Sequence, residues 1–303
     1  MLESLHELGL SDEAIALAQG MLLGDKSGLS SEVVSAFRTA GMSHIMAVSG
    51  LHVGIIMSII WICFRPVEML VGYLAPLNLT VHYVLGDLKR IVVIALTACY
   101  VWLIGAPPSA VRAALMLSLL MLGWMLHRST SAWRCMVFAA LVLIAWDPWT
   151  VGQVGFQLSF LAVAGILLFQ PWLQSERFPR WLRLVLLSVS AQWFTTPVVA
   201  YWFHQVPLLG WVQGLLVVPL MPILVSLLLV GILLPSFHFL AVPIEALTAW
   251  MGWVAQGIGR VEQVLLGGHL HFYPTWWEVL LAELLLLAIV LYLKVLNFRK
   301  CST

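Results

Sequence analysis

Four groups of polar residues in this chain could do chemistry, and each lies in or beside an apolar stretch. The first is His44, Ser49 and His52, within the run from Gly41 to Gly54. Ser49 and His52 stand three apart, on one face of a helix, as a nucleophile and its base would. No neighbouring residue is available to orient the histidine, which a triad requires. Metal binding fits worse. His44 and His52 lie roughly 12 Å apart along a helix, with no carboxylate between them. Two further readings stay open, hydrogen bonding between helices and the lining of a conduction path.

The second group is Pro107-Pro108-Ser109, followed by Arg112. Proline starts helices well because it has no amide hydrogen to leave unsatisfied. A helix beginning near Pro108 would present its N-terminal dipole to an anion. Ser109 and Arg112 would add a hydroxyl and a guanidinium within one turn, enough for a phosphate-sized contact. Alternatively, Arg112 snorkels to lipid headgroups. The third group follows Asp147-Pro148, a cap and first helical residue. Gln153 and Gln157 share one stripe, and Phe156 and Phe160 share the next. Amides beside aromatic rings could contact a single nucleic-acid strand, whose bases stack without sequence preference, or could hold helices together. The fourth is Gln192-Trp193-Phe194-Thr195-Thr196-Pro197. A proline inside a span frees a carbonyl that threonine can satisfy, and a helix broken at membrane depth often lines a cavity.

What must position these groups is a membrane bundle. The chain has 303 residues, 62% hydrophobic and 10% charged, with mean hydropathy +0.99. A soluble domain carries about 25% charged residues. Residues 39–64, 91–111, 148–175 and 184–244 hold no Asp, Glu, Lys or Arg, and about 20 apolar residues cross a bilayer as a helix. The expected fold is all-α: a polytopic transmembrane bundle of about nine spans, some broken, over residues 45–303. Residues 1–44 read as a short extramembrane helical segment. There Ser11 caps a helix over 12–23, Ser30 or Ser31 caps a second, and Gly41 ends it. Spans are expected near 45–64, 91–106, 110–126, 133–146, 153–170, 183–203, 209–234, 240–257 and 277–296, with 66–86 interfacial or re-entrant. Residues 1–20 carry four acidic and no basic residues, so no cleavable signal peptide is expected.

Basic residues set the orientation. Arg65, Lys89 and Arg90 fall in one connection, Arg128 and Arg134 two spans later, and Arg177, Arg180 and Arg183 two spans after that. These loops are expected on the cytoplasmic side. The N-terminus then faces outward and, with nine spans, Lys294, Arg299 and Lys300 face inward. Several of the 15 tryptophans lie near span ends, as an interfacial belt does. The four cysteines are scattered with no CxxC, which indicates neither a metal site nor a disulfide framework. No cofactor is implied.

Taken in order, these motifs resemble the ComEC-type competence membrane domain. The resemblance rests on Leu23-Gly24-Asp25-Lys26-Ser27-Gly28-Leu29, on Phe37-Arg38 and Gly41, and on His44 through Gly54. It continues through Gly105, Pro108 to Ala113, Asp147-Pro148 and Gly155 to Phe160. It covers about residues 15–260, and the Ser49-Gly50-Leu51-His52 run is its most specific part. It implies a multi-pass channel of the bacterial inner membrane that admits one strand of transforming DNA. The DNA-path candidates are then Asp25, Ser27, His44, Ser49, His52, Ser109, Arg112, Phe156, Gln157, Gln192 and Thr196, with no catalytic residue. The implied partners are single-stranded DNA, the bilayer, other competence proteins or a separately encoded nuclease domain, and a second copy of the chain. Family members usually add an OB-like and a metallo-β-lactamase-like domain. His269-Leu270-His271 is the only HxH and no Asp-His follows it, so nuclease activity is not expected of this chain, and a split or shortened member is. An intramembrane hydrolase using Ser49 with His52 or His44, and an inactive remnant, are the alternatives.

Overall fold

The computed structural model describes residues 2–301 other than 43, 44, 47, 75–77, 129, 177, 205, 207, 208 and 267–272. Every regular element among them is helical. Three short helices come first, α1 (Leu2–Glu7), α2 (Asp12–Leu23) and α3 (Ser31–Thr39). Then follow α4 (Gly50–Cys63), α5 (Arg65–Leu74), α6 (Leu79–Leu103), α7 (Pro108–Met125) and α8 (Ala132–Trp146). The rest are α9 (Val154–Leu173), α10 (Arg180–Phe203), α11 (Gly210–Val217), α12 (Met221–Leu233), α13 (Ala241–Leu266) and α14 (Trp276–Cys301).

Local chemistry explains most boundaries. Ser11 Oγ accepts from Ala14 N–H at 3.4 Å and Ser30 Oγ from Val33 N–H at 3.2 Å, so both serines cap as expected. Gly24 ends α2 at φ 79°, a backbone conformation in which a side chain would be strained. Pro108 opens α7, and Asp147 caps a 3-10 turn over Pro148–Gly152 by accepting from Trp149 N–H at 3.0 Å.

Five helical stretches among the described residues are long and apolar enough to span a bilayer: Gly50–Leu74, Pro108–Met125, Val154–Leu173, Arg180–Phe203 and Gly210–Leu233. The other expected spans are helical too, within α6, α8, α13 and α14. In the five, no more than 33% of the apolar window is buried inside the protein. Leucine, valine and tryptophan cover the outside, and α5 buries no residue at all. A surface this apolar is stable only against lipid, and the chain is a membrane protein.

Two expectations are corrected. Pro197 does not break its helix, because α10 runs through it to Phe203. Thr196 Oγ donates to Gln192 O at 2.7 Å, and Thr195 Oγ donates to Ala191 O at 3.1 Å, so both hydroxyls are spent one turn back on the same helix. The break lies instead between α11 and α12, where a 3-10 turn over Val218–Leu220 contains Pro219. Lys89 and Arg90 do not lie in a connection either. Both are inside α6, where Lys89 is buried, 2.8 Å from Glu68 and over the Trp61 ring at 3.7 Å. Ion pairing and cation–π contact satisfy that charge within the protein, so it is a poor topology marker.

The N-terminal helices share one apolar core with the long helices. Leu5, Met21, Phe37, Met46, Leu224 and Ile244 all belong to it. Glu245 of α13 fastens this arrangement by accepting from both the backbone N–H and the hydroxyl of Ser11, the latter at 3.0 Å. Glu245→Gln is expected to loosen α2 by about 1 kcal/mol, the scale of a lost cap, and to advance proteolysis between Gly24 and Gly28. Digestion at the wild-type rate would show that apolar packing alone holds α2 in place.

Candidate functional site

The starts of three long helices meet at one end of the bundle. α4 opens at Ser49-Gly50. Ser49 backbone N–H donates to His52 Nδ1 at 3.1 Å, and Ser49 Oγ lies 2.9 Å from the same nitrogen. α7 opens at Pro108 against it: Ser109 Oγ donates to Val48 O at 2.7 Å, and a Cβ on Gly50 would stand 3.2 Å from that of Ala113. α9 opens on the other side, where a Cβ on Gly155 would lie 3.4 Å from Nη2 of Arg112. Glycine at 155 therefore lets α9 come down onto the guanidinium.

Arg112 is 3% exposed. It does not project outward to headgroups, because the guanidinium is enclosed between α7 and the first turn of α9. Its Nε is buried with no hydrogen-bond partner, and no ion pair reaches it among the described residues. It is also the only Asp, Glu, Lys or Arg in α4, α7 and α9 together. Asp147, in the turn before α9, spends a carboxylate oxygen on Trp149 N–H. The locus is thus electropositive by construction, with three helix N-termini and one uncompensated cation in a low-dielectric surround.

The loop carrying Asp25 and Ser27 touches the same region through its first residue. A Cβ on Gly24 would be 3.7 Å from Val48, and Tyr100 of α6 donates its hydroxyl to Leu22 O at 2.9 Å. Asp25 itself is exposed and accepts from Ser27 N–H at 2.9 Å, which holds its carboxyl below the usual carboxylate range. The loop contact is therefore present at neutral pH and is lost as pH falls through that depressed value.

The remaining candidates divide. Phe156 is buried in the first turn of α9, its ring 4.3 Å from that of Phe160. Gln157 uses both ends of its amide, donating to Val151 O at 3.0 Å and accepting from Trp202 Nε1 at 3.0 Å. Here the amide stripe joins α9 to α10. Gln192 and Thr196 stand apart from Arg112, with the Gln192 amide against Gly210 of α11. His44, Arg177 and His269-Leu270-His271 lie outside the described residues, as do the side chains of Lys294, Arg299 and Lys300.

Sequence reading missed two buried acid–base features. One is the Lys89–Glu68–Trp61 cluster, whose only signal is a group of charged residues, Asp87, Lys89 and Arg90, ahead of the uncharged stretch of α6. The other is Glu262, 2% exposed, which accepts from Leu209 N–H at 2.8 Å at the start of α11. The Ser49–His52 pair invites comparison with a hydrolase. However, Nδ1 accepts the backbone N–H of Ser49, an arrangement that closes the start of α4, and α4, α7 and α9 contain no carboxylate to stabilise an imidazolium.

The model of the Competence protein family matches residues 21–296. The chain is 28% identical over 211 residues to ComE operon protein 3 of Bacillus subtilis (strain 168), covering 69% of this chain and 25% of that protein. It is 28% identical over 236 residues to competence protein ComA of Neisseria gonorrhoeae, covering 75% of this chain and 31% of that one. A third relative, the uncharacterized protein YcaI of Escherichia coli (strain K12), is 25% identical over 211 residues, 68% of this chain and 27% of its own length. The chain thus spans between a quarter and a third of the curated relatives it matches. No solved structure matches it.

Proposed function

The chain belongs to the Competence protein family, and from that premise we propose that it passes one strand of transforming DNA across the bacterial inner membrane as a multi-pass conducting domain. The observation that carries this reading is the packing of the starts of α4 and α9 against the first turns of α7, which carry Arg112, so that segments far apart in the chain form one electropositive locus. Conduction asks the protein to offset phosphate charge in a low-dielectric setting, and helix N-termini with a guanidinium do that without any bond being made or broken. The formal net charge of +1 is no obstacle, since a few positive groups held away from water act more strongly than many on a wet surface. Partners on this reading are the strand, the bilayer, other competence proteins or a separately encoded nuclease domain, and a second copy of the chain.

Deleting the gene tests this directly. DNA is expected to reach the cell surface as before, while labelled strand stops appearing in the cytoplasm. Entry at the wild-type rate would overturn the reading. A hydrolase is separated from a conductor by Ser49→Ala. The start of α4 is expected to weaken by about 1 kcal/mol with DNA entry kept within about twofold, because binding energy at the locus does not come from Ser49. Complete loss of function at normal protein level would favour a Ser49 nucleophile.

A further inference from the structure

We propose that Arg112 and the first turns of α4, α7 and α9 form a binding site for a single phosphodiester group. This deepens the conduction reading and rests on it for the source of the anion, a nucleic-acid strand rather than a lipid headgroup. Burying an unpaired cation is costly, and proteins normally pair such a charge or leave it in water. Here Arg112 is 3% exposed, its Nε has no partner, and neither α7 and α9, which enclose the guanidinium, nor the adjoining α4 carries a carboxylate. The missing counter-charge is therefore an anion from outside the chain.

Its size and type follow from the surroundings. The guanidinium offers planar, forked donors that match two oxygens of a phosphate. Helix N-termini favour the same anion. Gly50 and Gly155 are exposed at the starts of α4 and α9, and beside Gly105 and Gly152, in the turns before α7 and α9, there is open space where a Cβ would stand. Glycine in such places lets a ligand approach the backbone. One guanidinium with few flanking donors suits a monoanionic diester better than a dianion. Gln157 is committed to Trp202 and Val151.

The test uses the full chain in phosphate-free maltoside micelles with a fluorescent oligothymidylate as the probe. Wild-type protein is expected to bind it, and an oligomer with an uncharged methylphosphonate backbone is expected not to. Arg112→Gln should weaken binding at least tenfold, Arg112→Lys should weaken it less, and Gly155→Val should weaken it by filling the space over the guanidinium. A thermal shift keeps the outcome legible if a variant folds poorly: inorganic phosphate should raise the melting temperature of the wild type and not of Arg112→Gln. Equal oligomer binding by Arg112→Gln and wild type overturns the site. Arg112-dependent binding of phosphatidylglycerol micelles with no binding of the oligomer overturns the strand as the source. Oligomer binding that needs Arg112, together with normal DNA entry in the gene deletion, keeps the site and removes the conduction reading instead.

Discussion

Arg112→Gln is expected to reduce DNA entry into the cytoplasm by roughly 30- to 150-fold while the protein accumulates in the membrane at or above its normal level. The first number comes from the loss of one desolvated, charge-assisted phosphate contact, about 2–3 kcal/mol, at about 1.4 kcal/mol per tenfold. The second half of the expectation has the opposite sign from most buried substitutions. Arg112 makes no ion pair among the described residues and its Nε bonds to nothing. Replacing it with a neutral side chain of similar reach therefore removes a desolvation cost without breaking an internal contact. The measurement is transformation frequency alongside immunoblot level and melting temperature. Normal entry at equal protein level would contradict the conduction role of this residue. Low entry with low protein level would instead mean that the guanidinium holds the bundle together.

Gly165→Ala is expected to be strongly destabilising for a change of one methyl group. Gly165 lies in the middle of α9, where a Cβ would stand 2.5 Å from Ser190 O and 2.9 Å from Phe194 Cδ2 of α10. The first of these is backbone inside a continuous helix, and Ser190 is fully buried, so the obstruction cannot rotate aside. Forcing such helices apart costs about 3 kcal/mol, and the damage reaches Gln157–Trp202, the hydrogen bond that joins the same two helices. Gly252→Ala in α13 is the control. Nothing lies within 4 Å of its Cβ position, and the change should stabilise by about 0.5–1 kcal/mol through helix propensity. Thermal unfolding in detergent checks both. Equal melting temperatures for the two variants would mean that α9 and α10 are not locked together at Gly165.

Much of the helix layout could be read without coordinates because capping chemistry is local. Ser11 and Ser30 act on residues three positions ahead, and Pro108 declares its own role as a first helical residue. The membrane setting was legible for a similar reason: residues 184–244 contain no charge, and no soluble fold hides such a stretch. Pro197 misled because the consequence of a proline depends on what its neighbours do. In α10 the helix continues to Phe203, with the Thr195 and Thr196 hydroxyls turned back onto the carbonyls of Ala191 and Gln192.

The sequence alone thus determined the class, the starts of the helices and the motifs worth watching, since each follows from composition or from contacts within one turn. Only the tertiary structure decided that Arg112 lies against Gly155 rather than reaching headgroups, that Gln157 is tied to Trp202, and that Lys89 is answered by Glu68. Those outcomes depend on which helix lies beside which. Pairings between residues 21 to 45 positions apart are chosen by the packing of whole helices, and no local pattern records that choice.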